Sequence, residues 1–225
     1  MKMIDKIKDW IRENPHCLAL TYGIFYLAGF LALETRKGDF FLIDCPLDDK
    51  IPFMEIFVIP YVSWFLLIGV SLVWTMIARK QDFLELCFLM FGGTTFCLAV
   101  YWLFPNGLNL RPQTVPDNPF GWLVGFLYSI DTVTNVCPSI HVSSSIAVGL
   151  IARKFCWFSS RPMVRWLLYI WIILICLSTM MIKQHSIVDV VCGVFLSLAL
   201  FPVAYLRPGR CRRRGRFQME KMRET

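Results

Sequence analysis

His185 and Asp189 lie four residues apart in the stretch STMMIKQHSIVD, which runs from Ser178 to Asp189. On a helix that spacing puts both side chains on one face, a turn apart. The carboxylate can accept from one ring nitrogen while the other faces a substrate. Such a pair can transfer a proton or attack an electrophile at neutral pH, because an ordinary histidine titrates near ~6.5. Alone, His185 could equally cap a helix at a membrane boundary. A second stretch, Pro138-Ser139-Ile140-His141, also opens a hydrophobic segment. Two of the three histidines therefore occupy matching places, which favours chemistry over capping.

The elements that position these residues are legible as long apolar runs. The chain has 225 residues, 56% of them hydrophobic and only 17% charged. A helix crossing the hydrocarbon core needs about 20 apolar residues, and runs of about that length recur here. The expected fold class is all-α, a polytopic membrane helix bundle with six transmembrane helices. The spans are expected from about Cys17 to Leu33, Phe53 to Ala78, Phe83 to Phe104, Ser139 to Cys156, Trp166 to Ile182 and Ile187 to Leu206. Pro60 falls inside the second and predicts a kink. Ser143, Ser144, Ser145 and Gly149 make the fourth the least apolar and suit it to close packing against other helices.

Three segments follow from this layout. Residues 1–14 read as an amphipathic cytoplasmic arm, with Ile4, Ile7, Trp10 and Ile11 at helical spacing among lysines. Residues 15–206 form the six-span membrane domain, and residues 207–225 a basic cytoplasmic tail. The arm is charged throughout, so a cleavable signal is not expected. Basic residues collect in the arm, after the second and fourth spans and in the tail. Only Arg36, Lys37, Lys50, Arg111 and Lys183 fall on the other side. Basic loops stay inside, so both termini are expected in the cytoplasm and His141 and His185 at the extracytoplasmic face. The net charge of +7 is thereby explained by topology, and nucleic acid is not an expected partner.

Two outer loops stand out. Thr35 to Pro52 carries Asp39, Asp44, Asp48 and Asp49, and Pro105 to Pro138 carries Arg111-Pro112 near its start. The apolar portion Phe120 to Tyr128 is too short to span and reads as a surface helix or a loop packed on the bundle. Cys45 and Cys137 fall in these loops, where a disulfide between them is possible. No two of the nine cysteines have C-x-x-C spacing, so no metal site is expected from them.

The fourth and sixth spans both run inward, so His141 and His185 should share the outer amino-terminal ends of two helices. Such ends carry unpaired N–H groups and partial positive charge, and together would form a phosphate site. Ser139 offers a hydroxyl, Arg111 a bidentate clamp and Lys183 a point charge. Asp189, a turn inside the sixth span, needs a partner, and His185 is the expected one.

Pro138-Ser139-Ile140-His141 resembles the P-S-G-H motif of the type 2 phosphatidic acid phosphatase superfamily. Ser178 to Asp189 resembles its S-R-x-x-x-x-x-H-x-x-x-D motif, and Arg111-Pro112 the end of K-x-x-x-x-x-x-R-P. The resemblance covers about Phe53 to Leu206. It implies that His185 is the nucleophile and forms a phosphohistidine, oriented by Asp189. It implies that His141 is the general acid and then the base. Arg111, Ser139 and the backbone at Ile140 and His141 would hold phosphate oxygens, with no metal and no cofactor. The implied activity is hydrolysis of a lipid phosphate monoester or pyrophosphate, with membrane lipids as the other partners. The departures are Phe104 for lysine, Thr179 for arginine and Ile140 for glycine. With fewer cations, a diester carrying one charge fits better than a monoester carrying about two. A lipid phosphotransferase of the sphingomyelin-synthase-like type is therefore an alternative, and an inactive membrane scaffold a second. Lys183 is expected to take over part of the missing arginine's contact.

Overall fold

The structure is a computed structural model that describes residues 3–36, 38–154, 158 and 160–205. The basic tail, Met1, Lys2, Lys37 and the end of the expected fourth span at Cys156 lie outside the described residues. The arm forms α1, Met3–Glu13. A 3-10 turn, Pro15–Thr21, then leads into α2, Tyr22–Glu34. Next come α3, Val58–Ala78, and α4, Lys80–Leu103, joined at Arg79. A short helix, α5, spans Pro119–Ile130. The bundle closes with α6, Ile140–Ala152, α7, Pro162–Met181, and α8, Ile187–Tyr205.

Among the described residues five helical segments are long and apolar enough to cross a membrane: Pro15–Glu34, Glu55–Ala78, Lys80–Leu103, Pro162–Met181 and Ile187–Ala204. The fold is thus a helical bundle with multi-pass membrane character. The expected fourth span differs. Its helix, α6, has 13 residues, or about 20 Å at 1.5 Å per residue, against a hydrocarbon core of about 30 Å. It is instead the centre of the bundle, packed against α3, α4, α7 and α8. Its small side chains allow this. Ser143, Ser144, Ser145, Ala147 and Ala152 are all buried. The serine hydroxyls turn back on their own helix, as Ser144 Oγ donates to Ile140 O at 2.6 Å and Ser145 Oγ to His141 O at 2.7 Å, so these buried hydroxyls are paired.

Around α6 the core divides by level. Leu67, Leu86, Leu89, Val148, Ile151 and Ile175 pack α3, α4 and α7 about its carboxyl-terminal half. Leu33, Cys97, Leu98 and Tyr101 meet Ile140 at its start. Val58, Tyr61, Val124, Leu127 and Ile182 fasten α5 to α3 and to the end of α7. Outward faces are apolar too, with Ile24, Phe25, Phe65, Ile77, Trp166 and Ile173 all exposed, as in a bundle whose solvent is lipid.

Two expectations are corrected. Pro60 sits in the first turn of α3, which begins at Val58. The N–H it lacks would have had no intrahelical partner there, so it produces no interior break. Cys45 and Cys137 are both free thiols. The segment Phe120 to Tyr128 resolves as α5, started by Pro119 and capped by Asn118, whose side chain accepts from Gly121 N at 2.9 Å.

One close approach sets the relation of the two histidine-bearing helices. A Cβ on Gly193 would meet Ser139 O at 2.8 Å and Val142 Cβ at 3.1 Å. Only glycine lets α8 lie this near the start of α6. Ser197 Oγ then donates to Ser143 O at 2.5 Å, bonding the same pair one turn further on.

Candidate active site

The nucleophile candidate sits in a tight reversal between α7 and α8. Thr179 O accepts from both Gln184 N at 2.9 Å and His185 N at 3.0 Å. Lys183 adopts a left-handed φ of 55°, unfavourable for a residue with a side chain. Its ammonium is fixed by Asp48 O at 2.7 Å and Ile51 O at 2.6 Å, both from the loop between α2 and α3. The same loop caps α8. Asp48 is buried, and its carboxylate accepts from Ser186 Oγ at 2.6 Å, Ile187 N at 2.9 Å and Cys45 N at 2.9 Å.

His185 Nδ1 meets Asp189 Oδ2 at 3.3 Å, and Ser186 N donates to the same oxygen at 2.9 Å. A carboxylate accepts only, so Nδ1 carries the proton and Nε2 keeps its lone pair. Asp189 Oδ1 is buried without a hydrogen-bond donor among the described residues. Asp189 is wholly buried, and its carbonyl accepts from Ser139 N at 3.1 Å, which ties the start of α6 to the first turn of α8. Burial, with the Asp189 carboxylate and Cys192 beside it, holds the Cys137 thiol above its usual range.

His141 occupies the first turn of α6, with its ring 5.8 Å from that of His185. It stacks on Tyr61 at 4.6 Å and lies 4.4 Å from Trp64. Trp64 is itself anchored, its indole N–H donating to Ser144 Oγ at 2.9 Å. Both histidines open into one cavity of about 670 Å³. Tyr26, Phe30, Tyr61, Trp64 and Phe65 of α2 and α3 form its apolar side. Asp131, Asn135, Gln184, His141 and His185 form its polar side. A second cavity, about 300 Å³ between α3 and α7, has no titratable side chain in its lining.

The other expected residues are placed unevenly. Ile140 lines the cavity. Ser139 caps α6, its hydroxyl accepting from Val142 N at 3.4 Å, and is fully buried. Arg111 does not line the cavity. Its guanidinium donates to Tyr128 O at 3.3 Å, Asp131 O at 3.0 Å, Thr132 O at 2.8 Å and Gln184 Oε1, and lies 4.3 Å over the Tyr128 ring. Burial lowers its pKa from the ordinary value. Lys183 does not line the cavity either, being held by the loop carbonyls. Nor are both helix ends open to an anion. At α8, Ile187 N and Ser186 N are already taken by Asp48 and Asp189. At α6, the N–H groups of Ile140 and His141 have no acceptor among the described residues. No group of three His, Cys, Asp or Glu side chains that could hold a metal occurs among the described residues.

Sequence reasoning singled out neither Asp131 nor Gln184, Tyr61, Trp64 or Asn106. Asn106 builds the turn before α6, its Oδ1 accepting from Val136 N at 3.0 Å and Cys137 N at 2.8 Å. The one available signal was the helical spacing of Tyr61 and Trp64 on the second span.

A pair of histidines facing one cavity, one of them backed by a buried carboxylate and both set in a multi-pass helical bundle, defines a membrane protein with a candidate catalytic centre. A family model described as the PAP2 superfamily matches residues 82–213, more than half of the chain. The chain belongs to the PAP2 superfamily. That superfamily generally comprises phosphatases, so at the coarse level this is a membrane phosphoric ester hydrolase. No curated protein and no solved structure matches the chain.

Proposed function

We propose that the protein cleaves a phosphate ester of a membrane lipid through a phosphohistidine at His185. The observation that carries this is the His185–Asp189 contact beside His141 in a cavity with aromatic walls. His185 Nε2 attacks phosphorus and forms a P–N bond. The ester P–O bond breaks, and the departing alkoxide takes a proton from His141. His141 then removes a proton from the acceptor hydroxyl, which attacks phosphorus and breaks the P–N bond. The free N–H groups of Ile140 and His141 are suited to hold a phosphate oxygen at the helix end. Ser139 supports that end as its cap, and Arg111 supports the wall through Gln184.

Water as acceptor gives a lipid phosphatase, and a lipid alcohol gives a phosphotransferase. The wall's charge favours a diester as donor. No lysine or arginine lines the cavity, while Asp131 does. A monoester with about two negative charges would be poorly compensated there. Incubating purified protein with a mixed lipid extract and identifying the headgroup products tests the reading. A phosphorylated His185 with a new phosphoester or free headgroup phosphate is expected. An unchanged extract and no phospho-enzyme would sink it.

The reading includes a cell-membrane location, both termini in the cytoplasm and the histidines at the outer face, supported by the distribution of basic loops. Gln113 is exposed in the long outer loop. Gln113→Cys, in a background with Cys45 and Cys137 replaced, is expected to react with an impermeant thiol reagent on intact cells. Labelling only after permeabilisation would reverse the orientation.

A further inference from the structure

Among the described residues Asp131 is the one carboxylate that lines the cavity. Glu85 pairs with Lys154, Asp82 with Arg79 at 2.8 Å and Asp189 with His185. Asp48 caps a helix. Asp131 lines the cavity, and its carboxylate accepts from a neutral donor, Gln184 Nε2 at 3.3 Å. Among the described residues no cationic side chain comes within 4.0 Å of its carboxylate oxygens. The nearby Arg111 takes its backbone oxygen instead. A largely buried carboxylate without a cation is costly; it is relieved by a proton or by a positive ligand. Burial accordingly raises its pKa, against the opposing pull of His185 and Arg111.

The surroundings suit a positive ligand. Tyr61 lines the cavity together with Asp131, and its ring stacks on His141 at 4.6 Å. Tyr26, Phe30 and Trp64 line the same cavity, and aromatic faces attract an ammonium group. We propose that Asp131 recognises a cationic headgroup, so that the lipid cleaved at His185 is a zwitterionic phosphodiester carrying an ammonium. The inference rests on the reading of His185 as the attacking group. In the bound lipid the phosphate faces the histidines and the start of α6, and the ammonium faces Asp131. The P–N bond forms at His185 as the bond to the lipid alcohol breaks, and the alkoxide takes the His141 proton. The headgroup phosphate stays on the enzyme, with its ammonium still paired to Asp131. A phosphate monoester would instead bring its extra negative charge against this carboxylate.

The test uses full-length protein with His185→Ala, which prevents turnover, in a non-ionic detergent. The probes are hexadecylphosphocholine and hexadecyl phosphate, with dissociation constants read from tryptophan fluorescence. With Asp131 intact, the phosphocholine is expected to bind at least about tenfold tighter, the effect of a desolvated cation contact. Asp131→Asn on that background is expected to abolish the preference. Equal or tighter binding of hexadecyl phosphate to protein with Asp131 intact overturns the proposal, and so does a preference that survives Asp131→Asn. If the double variant does not fold, the comparison with Asp131 intact decides alone. Failure of the wild type to form phospho-His185 with any lipid would overturn the nucleophile instead, and the binding order would still decide the headgroup.

Discussion

Replacing His185 by alanine is expected to abolish turnover and, with it, an acid-labile phospho-enzyme trapped from radiolabelled lipid. The loss should be about 10⁴-fold or more, because without the attacking nitrogen only binding and positioning remain. Nδ1 is engaged by Asp189 at 3.3 Å, so Nε2 is the nitrogen free to attack. Glutamine keeps size and polarity but not the nucleophilic lone pair, so His185→Gln should fail equally. Chelators are expected to leave the wild-type rate unchanged. Substantial turnover by His185→Ala, stimulated by a divalent cation, would rule out the phosphohistidine route.

Asp48→Ala is expected to carry the next largest effect, although Asp48 does not line the cavity. It removes the acceptor of three donors, Ser186 Oγ, Ile187 N and Cys45 N. Losing a helix cap costs about 1 kcal/mol. Each buried donor left unpaired adds about 1–3 kcal/mol. With Ile187 N counted as the cap donor and Ser186 Oγ and Cys45 N as the two others, a loss of at least about 3 kcal/mol should appear as a lower unfolding midpoint in detergent. The turn bearing His185 should loosen as well, so kcat should fall by at least about tenfold, as expected when a reacting group is displaced. Asp48→Asn keeps one acceptor oxygen and should recover part of both losses. Wild-type melting and full turnover in Asp48→Ala would show that the cap is not needed to hold His185.

The contrast between these two residues shows what the sequence made legible. His185 lies in the turn just before α8 and Asp189 in the first turn of α8, so their contact is local in sequence and their spacing pointed to it. The apolar runs gave the helices for the same reason, since each is specified by its own residues. Asp48 could not be told apart from Asp39, Asp44 and Asp49, because its partners are brought to it only by the fold. Asp131 and Gln184 were hidden likewise, in a loop and a turn without periodicity. Lys183 was expected beside the phosphate from its nearness in sequence to His185. The left-handed turn sends its ammonium to the loop between α2 and α3 instead. The length of α6 was overestimated because an apolar run is the same signal for a helix buried in protein as for one crossing lipid.

The Asp48 cap also bears on how the protein is made. Its side-chain partners Ser186 and Ile187 lie 138 and 139 residues further along the chain. During synthesis the loop between α2 and α3 exists long before the turn it must clasp. Contacts this distant in sequence form late, after the intervening chain has been laid down. The nascent chain thus carries His141 before it carries a held His185, and a truncated product ending before α8 has no completed site. The candidate site is thus completed only when α8 joins the bundle.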